Sequence, residues 1–242
     1  MDYEKYDSYE TLDGYGEVSQ SDISSYMAKV FTYMFLALLA SGVTAYLFGN
    51  TEGLRELLYT AEGGRTMLGW IVMFSPIGVV LLMGGRMNKM SFGALALTFF
   101  TFAILFGASI SYIFFMFSDG HLFLTFFISA ATFGVMALVG YTTSTDLTKM
   151  GSILYMALIG LVIAMLVNWF IGSSQMDYII SGIGVLIFTG LTAYDTQKVK
   201  HIALTMGTTS EGARKMIIMG ALTLYLDFVN LFLFMLRFFG RE

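Results

Sequence analysis

The sequence predicts an all-α integral membrane protein, a bundle of seven transmembrane helices. Apolar runs of about 20 residues recur seven times along the chain, and about 20 helical residues cross ~30 Å of hydrocarbon. Only 12% of the residues are charged, against the ~25% usual in a soluble domain. With a mean hydropathy of +0.74, the chain is short of the polar surface that a water-facing fold requires.

Residues 1–29 precede the first apolar run and are expected to form a disordered acidic cytoplasmic tail, with the transmembrane domain filling residues 30–242. Asp2, Glu4, Asp7, Glu10, Asp13, Glu17 and Asp22 face only Lys5 and Lys29 there, and so polar a segment has little apolar surface to offset its ordering entropy. It lacks the basic start of a secretory signal peptide. Tyr3, Tyr6 and Tyr9 recur at every third position, a spacing that suits a low-complexity tail or a partner-binding motif.

The expected spans are Val30–Phe48, Met67–Met83 (closed by Gly84, Gly85 and Arg86), Phe92–Phe117, Leu122–Tyr141, Ile153–Ile171, Tyr178–Tyr194 and Met216–Phe239. The third is long enough for a tilted helix, or for a helix plus an interfacial turn. Pro76 lies midway along the second. It removes one backbone bond and frees the carbonyl of Val72, so a kink is expected there. With seven crossings, the N-terminal side carries Lys5, Lys29, Arg86, Lys89, Lys149, Lys198, Lys200, Arg214 and Lys215, and the other carries Arg55, Arg65, Arg237 and Arg241. The excess of basic residues puts the N-terminus in the cytoplasm and the C-terminus outside.

Several chemistries are excluded. There are no cysteines, hence no disulfide, thiol nucleophile or Cys-type zinc site. The net charge of −4 argues against a nucleic-acid partner. His121 and His201 fall on opposite expected sides, and no metalloprotease, nucleophile-elbow or phosphate-loop pattern occurs. The chain is therefore not expected to be an enzyme or to hold a tight cofactor. The 18 methionines are scattered through apolar spans and read as packing.

An ionisable side chain within a bilayer is costly, so it marks a candidate site. Asp227 lies near the centre of the seventh span, and at 100° per residue Gly220, Thr223, Asp227 and Asn230 share one stripe. That stripe should face protein or a water-filled cavity. An interhelical hydrogen-bonding site without a transport role fits it too. Asp195 ends the apolar part of the sixth span, but Val199, Ile202, Ala203 and Met206 continue a helical stripe on its face, so the helix is expected to run on to Met206. Counted from a turn near Gly207–Gly212, the two aspartates differ in height by only ~4–5 Å. Two carboxylates at one level in a dry site cannot both ionise freely, and they titrate as a unit. A shared proton would join the helices. Full deprotonation would part them or create a site for a hard cation such as Ca²⁺, with neutral oxygens from Thr196, Thr223 and Asn230. Arg86, at the same cytoplasmic level, is either a counter-charge to one aspartate or a positive-inside anchor.

These residues also carry a resemblance. Gly190 to Lys198 (GLTAYDTQK) and Gly220 to Phe234 (GALTLYLDFVNLFLF) resemble the Bax inhibitor-1, or transmembrane Bax inhibitor motif, family. Gly140 to Gly151 (GYTTSTDLTKMG), with Met156 to Gly160 (MALIG), resembles its bacterial branch. The similarity covers about Ser25 to Gly240. It implies a seven-helix fold with the last helix central, in a bacterial plasma (inner) membrane, and a pH-sensitive calcium leak. It assigns the family's paired aspartates to Asp195 and Asp227, with transient Ca²⁺ between them, and its gating arginine to Arg86. The functional expectation is thus a passive, pH-gated Ca²⁺ leak whose partners are the bilayer, Ca²⁺ and protons. Two alternatives stand beside it: a non-conducting regulator that binds a membrane protease or another membrane complex, and a proton-coupled cation exchanger.

Overall fold

The computed structural model describes residues 19–240, and within them all regular structure is helical. The helices are α1 (Gln20–Asn50), α2 (Glu52–Leu58), α3 (Met67–Arg86), α4 (Phe92–Ile110), α5 (Ile113–Met116), α6 (Asp119–Thr142), α7 (Thr148–Ile171), α8 (Ser174–Met206) and α9 (Glu211–Phe239), with a 3₁₀ turn over Met87–Lys89. Seven segments are long and apolar enough to cross a membrane: α1, α3 with its 3₁₀ turn, α4 with α5, α6, α7, α8 and α9.

The start points follow capping chemistry. Ser19, Thr66, Ser91, Ser118, Ser173 and Ser210 each accept a first-turn backbone N–H through the side-chain oxygen, an arrangement worth ~1 kcal/mol per helix. At Ser19 the cap is reciprocal, because the Asp22 carboxylate accepts the Ser19 N–H. This corrects the expected boundary of the tail. The helix begins at Gln20, and Ile23, Tyr26, Met27 and Val30 form one buried stripe at helical spacing. Lys29, which the sequence reading took as the end of the tail, is merely the exposed side of that turn. The part of the tail over residues 1–18 lies outside the described residues.

The third apolar run divides as expected into a spanning helix and a turn: α4 ends at Ile110, and Ser111 and Tyr112 lead into the single turn of α5. α2 was not expected. It is a short cap on the end of the bundle where α1 ends and α3 begins, held by Leu58 and Tyr59, both buried. Within α3, Ser75 Oγ donates to the Val72 carbonyl at 2.9 Å, so the acceptor freed by Pro76 is satisfied locally.

The last helix is central. Of the most apolar window in α9, 67% is buried within protein, against 11% in α7 and 17% in α3. α1, α4, α6 and α8 pack around α9, while α3 lies on α4 and α7 lies on α8. Small residues set the close approaches. The backbone of Gly140 in α6 meets the Ala193 carbonyl of α8, and that of Gly107 in α4 meets Ser41 of α1. Gly140→Val is therefore expected to force α6 off α8 and cost about 1–3 kcal/mol. Gly134→Val on the same helix, where a Cβ meets nothing within 4 Å, should cost far less. Thermal unfolding of both variants in detergent compares them, and equal losses would contradict the packing argument.

Candidate functional site

α8 and α9 are antiparallel, joined through Gly207 at φ +71° and the Ser210 cap. Past the turn, Val199 packs onto Gly220, where a Cβ would stand 3.1 Å from the Val199 side chain. One to two turns deeper the same interface holds Asp195 and Asp227, 1% and 4% exposed. Their carboxyl groups are near enough for the charge of one to act on the other. Two carboxylates have no proton to give each other, so a direct bond between them needs one shared proton, and a cation could bridge them instead.

A third helix reaches the pair. The Tyr155 hydroxyl of α7 donates to Asp195, 3.2 Å from Oδ1 and 3.1 Å from Oδ2. Its ring stands edge-on to Tyr194, centroids 6.0 Å apart. Gly151, one turn earlier, lets α7 close on the Tyr194 ring. On the α9 side Asp227 Oδ2 is buried with no partner. The cation whose charge acts on both carboxyls is Lys198, itself exposed beside the Tyr194 ring.

The structure thus brings Asp195 and Asp227 together and leaves Arg86 apart. Arg86 is exposed at the end of α3, whose neighbours are α2 and α4, and among the described residues it forms no ion pair with either aspartate. Thr196, Thr223 and Asn230 each donate to a carbonyl of their own helix, Thr192, Met219 and Leu226 respectively. Among the described residues no three His, Asp or Glu side chains converge, so the donor set for a cation is two carboxylates plus neutral oxygens.

The continuation of α8 beyond Asp195 is anchored by side chains that sequence reasoning passed over. Gln197 Oε1 accepts the Leu147 N–H at 2.9 Å and Nε2 donates to the Thr145 carbonyl at 2.8 Å. Lys200 Nζ donates to the Tyr141 carbonyl at 2.8 Å, at the C-terminal end of α6 where a cation suits the helix dipole. Tyr155 was missed because a lone tyrosine in an apolar span reads as packing. Its only signal was a hydroxyl that must find a partner at that depth.

The chain is similar over nearly its whole length to known membrane proteins. Residues 23–242 match the family described as inhibitor of apoptosis-promoting Bax1. The chain is 43% identical over 217 residues to the uncharacterized protein RP147 of Rickettsia prowazekii, spanning 90% of this chain and 89% of that protein. It is 39% identical over 224 residues to the inner membrane protein YbhL of Escherichia coli, spanning 92% and 94%. It is 34% identical over 227 residues to the uncharacterized membrane protein SpyM3_0260 of Streptococcus pyogenes, spanning 93% and 96%.

Two expectations follow from the site. Tyr155→Phe keeps the ring and removes only the donor, so it should cost about 1 kcal/mol. Combined with Asp195→Asn in a double-mutant cycle of unfolding, it should couple by at least ~0.5 kcal/mol; strict additivity would deny the bond. The second concerns Asp146, which caps the loop that Gln197 clamps. Its hydrogen bonds to Thr148 hold its carboxyl below the usual carboxylate range, with smaller help from His201 and Lys149. A carboxyl depressed on folding stabilises above its unfolded value and loses that effect as pH falls through the folded one. Amide-exchange protection at Thr148 and Lys149 should therefore be flat from neutral to mildly acidic pH and fall below ~pH 4. Asp146→Asn, which keeps an acceptor, should abolish that fall.

Proposed function

The chain belongs to the Bax inhibitor-1 family, and from that premise we propose that it is a pH-sensitive Ca²⁺ leak gated by the Asp195–Asp227 pair. The supporting observation is the pair itself: two buried carboxyls close together between two helices, one oxygen of which has no donor. With one proton between them they join α8 to the central helix. Without it, two adjacent negative charges in a dry interface either repel, which parts the helices, or take up a hard cation, for which carboxylate oxygens are the preferred ligands. Protons and Ca²⁺ thus compete for the same oxygens. Tyr155 orients Asp195 and ties α7 to the state of the latch. The latch is complete without a third charge, and Arg86, exposed at the cytoplasmic end of α3, serves as an anchor for that end.

In this reading the protein lies in a bacterial plasma membrane, N-terminus inward. The name of the Escherichia coli relative supports the membrane and the lysine and arginine asymmetry supports the orientation. It has no catalytic role and no tightly bound cofactor, and Ca²⁺ passes as a permeant ion.

The test is Ca²⁺ flux into liposomes containing the pure protein, across pH, with Asp195→Asn and Asp227→Asn. One shared proton allows flux to change by up to ~10-fold per pH unit, and either substitution should flatten that dependence. An unchanged pH response in both variants would remove the latch. No flux from folded protein would favour a regulator of a membrane protease or other complex, and flux that follows a proton gradient would favour an exchanger.

A further inference from the structure

The face of α8 that carries Asp195 continues outward. Asp177 precedes Asp195 by 18 residues, five whole turns at 3.6 residues each, so the two carboxylates lie on one line ~27 Å apart. That is most of the ~30 Å hydrocarbon thickness. On α9 the polar stripe continues from Asp227 through Asn230 to Arg237, near the outer end of the helix. There the stripes meet again: Arg237 Nη1 stands 3.9 Å from Asp177 Oδ1.

Between the inner and outer pairs the α8–α9 seam is closed by aromatic rings. Phe188 and Phe234 stack with centroids 5.7 Å apart. Phe234 is seated on Gly184, where a Cβ would come within 2.5 Å of the ring. The Arg237 guanidinium lies 4.9 Å above that same ring. Outside the rings is a cavity of about 290 Å³, lined by both members of the outer pair and roofed by Tyr112, Met116 and Phe117. Its walls are otherwise apolar, so the two charges set its field.

We propose that this cavity is the outer mouth of the cation route, with Asp177 as its cation-attracting group, Arg237 as the charge that masks it, and Phe188–Phe234 as the plug between mouth and latch. The inference rests on the leak reading and adds to it a second, charge-set control at the other end of the same seam. The bridge is partly exposed, its side chains 39% and 28% accessible, so its worth as a structural tie is small. Its net charge matters more: neutral when paired, negative if Arg237 loses its charge, positive if Asp177 does.

That distinction supplies the test. Ca²⁺ flux is measured in liposomes for the full-length wild type, Arg237→Gln, Asp177→Asn, Phe234→Ala and the exchanged pair Asp177→Arg with Arg237→Asp. Both single changes break one bridge, yet they should move flux in opposite directions. Arg237→Gln should raise it and Asp177→Asn lower it, each by roughly threefold or more, below the tenfold to thousandfold of a fully enclosed charged cleft because the mouth is part-exposed. The exchanged pair should return flux to near the wild-type value, and Phe234→Ala should raise it. A shift in the same direction from both single changes would mean a structural tie and overturn the proposal. So would no shift from either in a wild type that conducts and keeps its aspartate-dependent pH response, and that result would leave the latch standing. A wild type that passes no Ca²⁺ would overturn both.

Discussion

Hydrocarbon solvates neither a carboxylate nor an unpaired peptide group, and the arrangement of this bundle follows from that cost. Asp227 cannot face lipid, so the helix that carries it must be enclosed on all sides. α9 is the most buried of the seven spans, although its sequence is less apolar than those of α4 and α6. Enclosure takes four helices, α1, α4, α6 and α8. Only α8 offers a second carboxyl at the right level, and one proton shared by the pair removes the repulsion between them and leaves a single negative charge.

The same constraint explains how the other polar side chains are handled. Thr192, Thr196, Thr223 and Asn230 lie along the α8–α9 interface, and all donate to carbonyls of their own helix. Such internal bonds remove the penalty of burial without committing the groups to a neighbouring helix. The interface therefore stays separable: interhelical polar contact falls at its two ends, at the Asp195–Asp227 pair and at the Asp177–Arg237 bridge, with apolar packing and small residues between. A latch works only where few bonds hold two surfaces that otherwise slide.

Much of this was legible beforehand, for identifiable reasons. Span number and type follow from apolar runs whose length is set by the bilayer. Asp227 stood out because a carboxylate in a leucine- and phenylalanine-rich helix is costly whether it serves transport or interhelical bonding. Asp195 emerged only from the stripe Val199–Ala203 beyond it, which the structure keeps buried. What could not be read was everything fixed by a third helix. Tyr155 reads as packing on a hydropathy scale but is a donor in space, and its link to Asp195 crosses 40 residues of chain.

 Its side chain counts as apolar by composition, and only the position of α7 against α8 makes its hydroxyl a partner. The early start of α1 was hidden for the opposite reason: charged residues at Asp22 and Lys29 masked the buried stripe of Ile23, Tyr26 and Met27 between them. Arg86 lies at the end of α3, exposed, and which face of that helix it occupies depends on packing against α4 that no spacing rule encodes.

The position of α7 gives the latch a mechanical context. α7 is the least buried of the seven spans and packs on α8. Near the start of α7 the two helices are in close contact, through Gly151 against Tyr194, Leu154 against Gly190, and Tyr155 bonded to Asp195. Further along, an apolar cavity of about 520 Å³ lies between them, lined by Gly160, Ala164, Ile179 and Ile183. At its far end α7 is joined to α8 by the Gly172–Ser173 turn, where the Asn168 side chain accepts the Ser173 N–H, so Tyr155 links the carboxyl pair to a helix held at both ends. A change in the charge of the pair therefore acts on both of α8's neighbours at once: directly on α9 by repulsion, and on α7 through the strength of the bond that Tyr155 donates, since a hydrogen bond to a charged acceptor is stronger than one to a neutral acceptor. In the proposed reading, repulsion after deprotonation would loosen α8 from the central helix while the bond from Tyr155 strengthens, unless a cation takes the proton's place between the carboxylates.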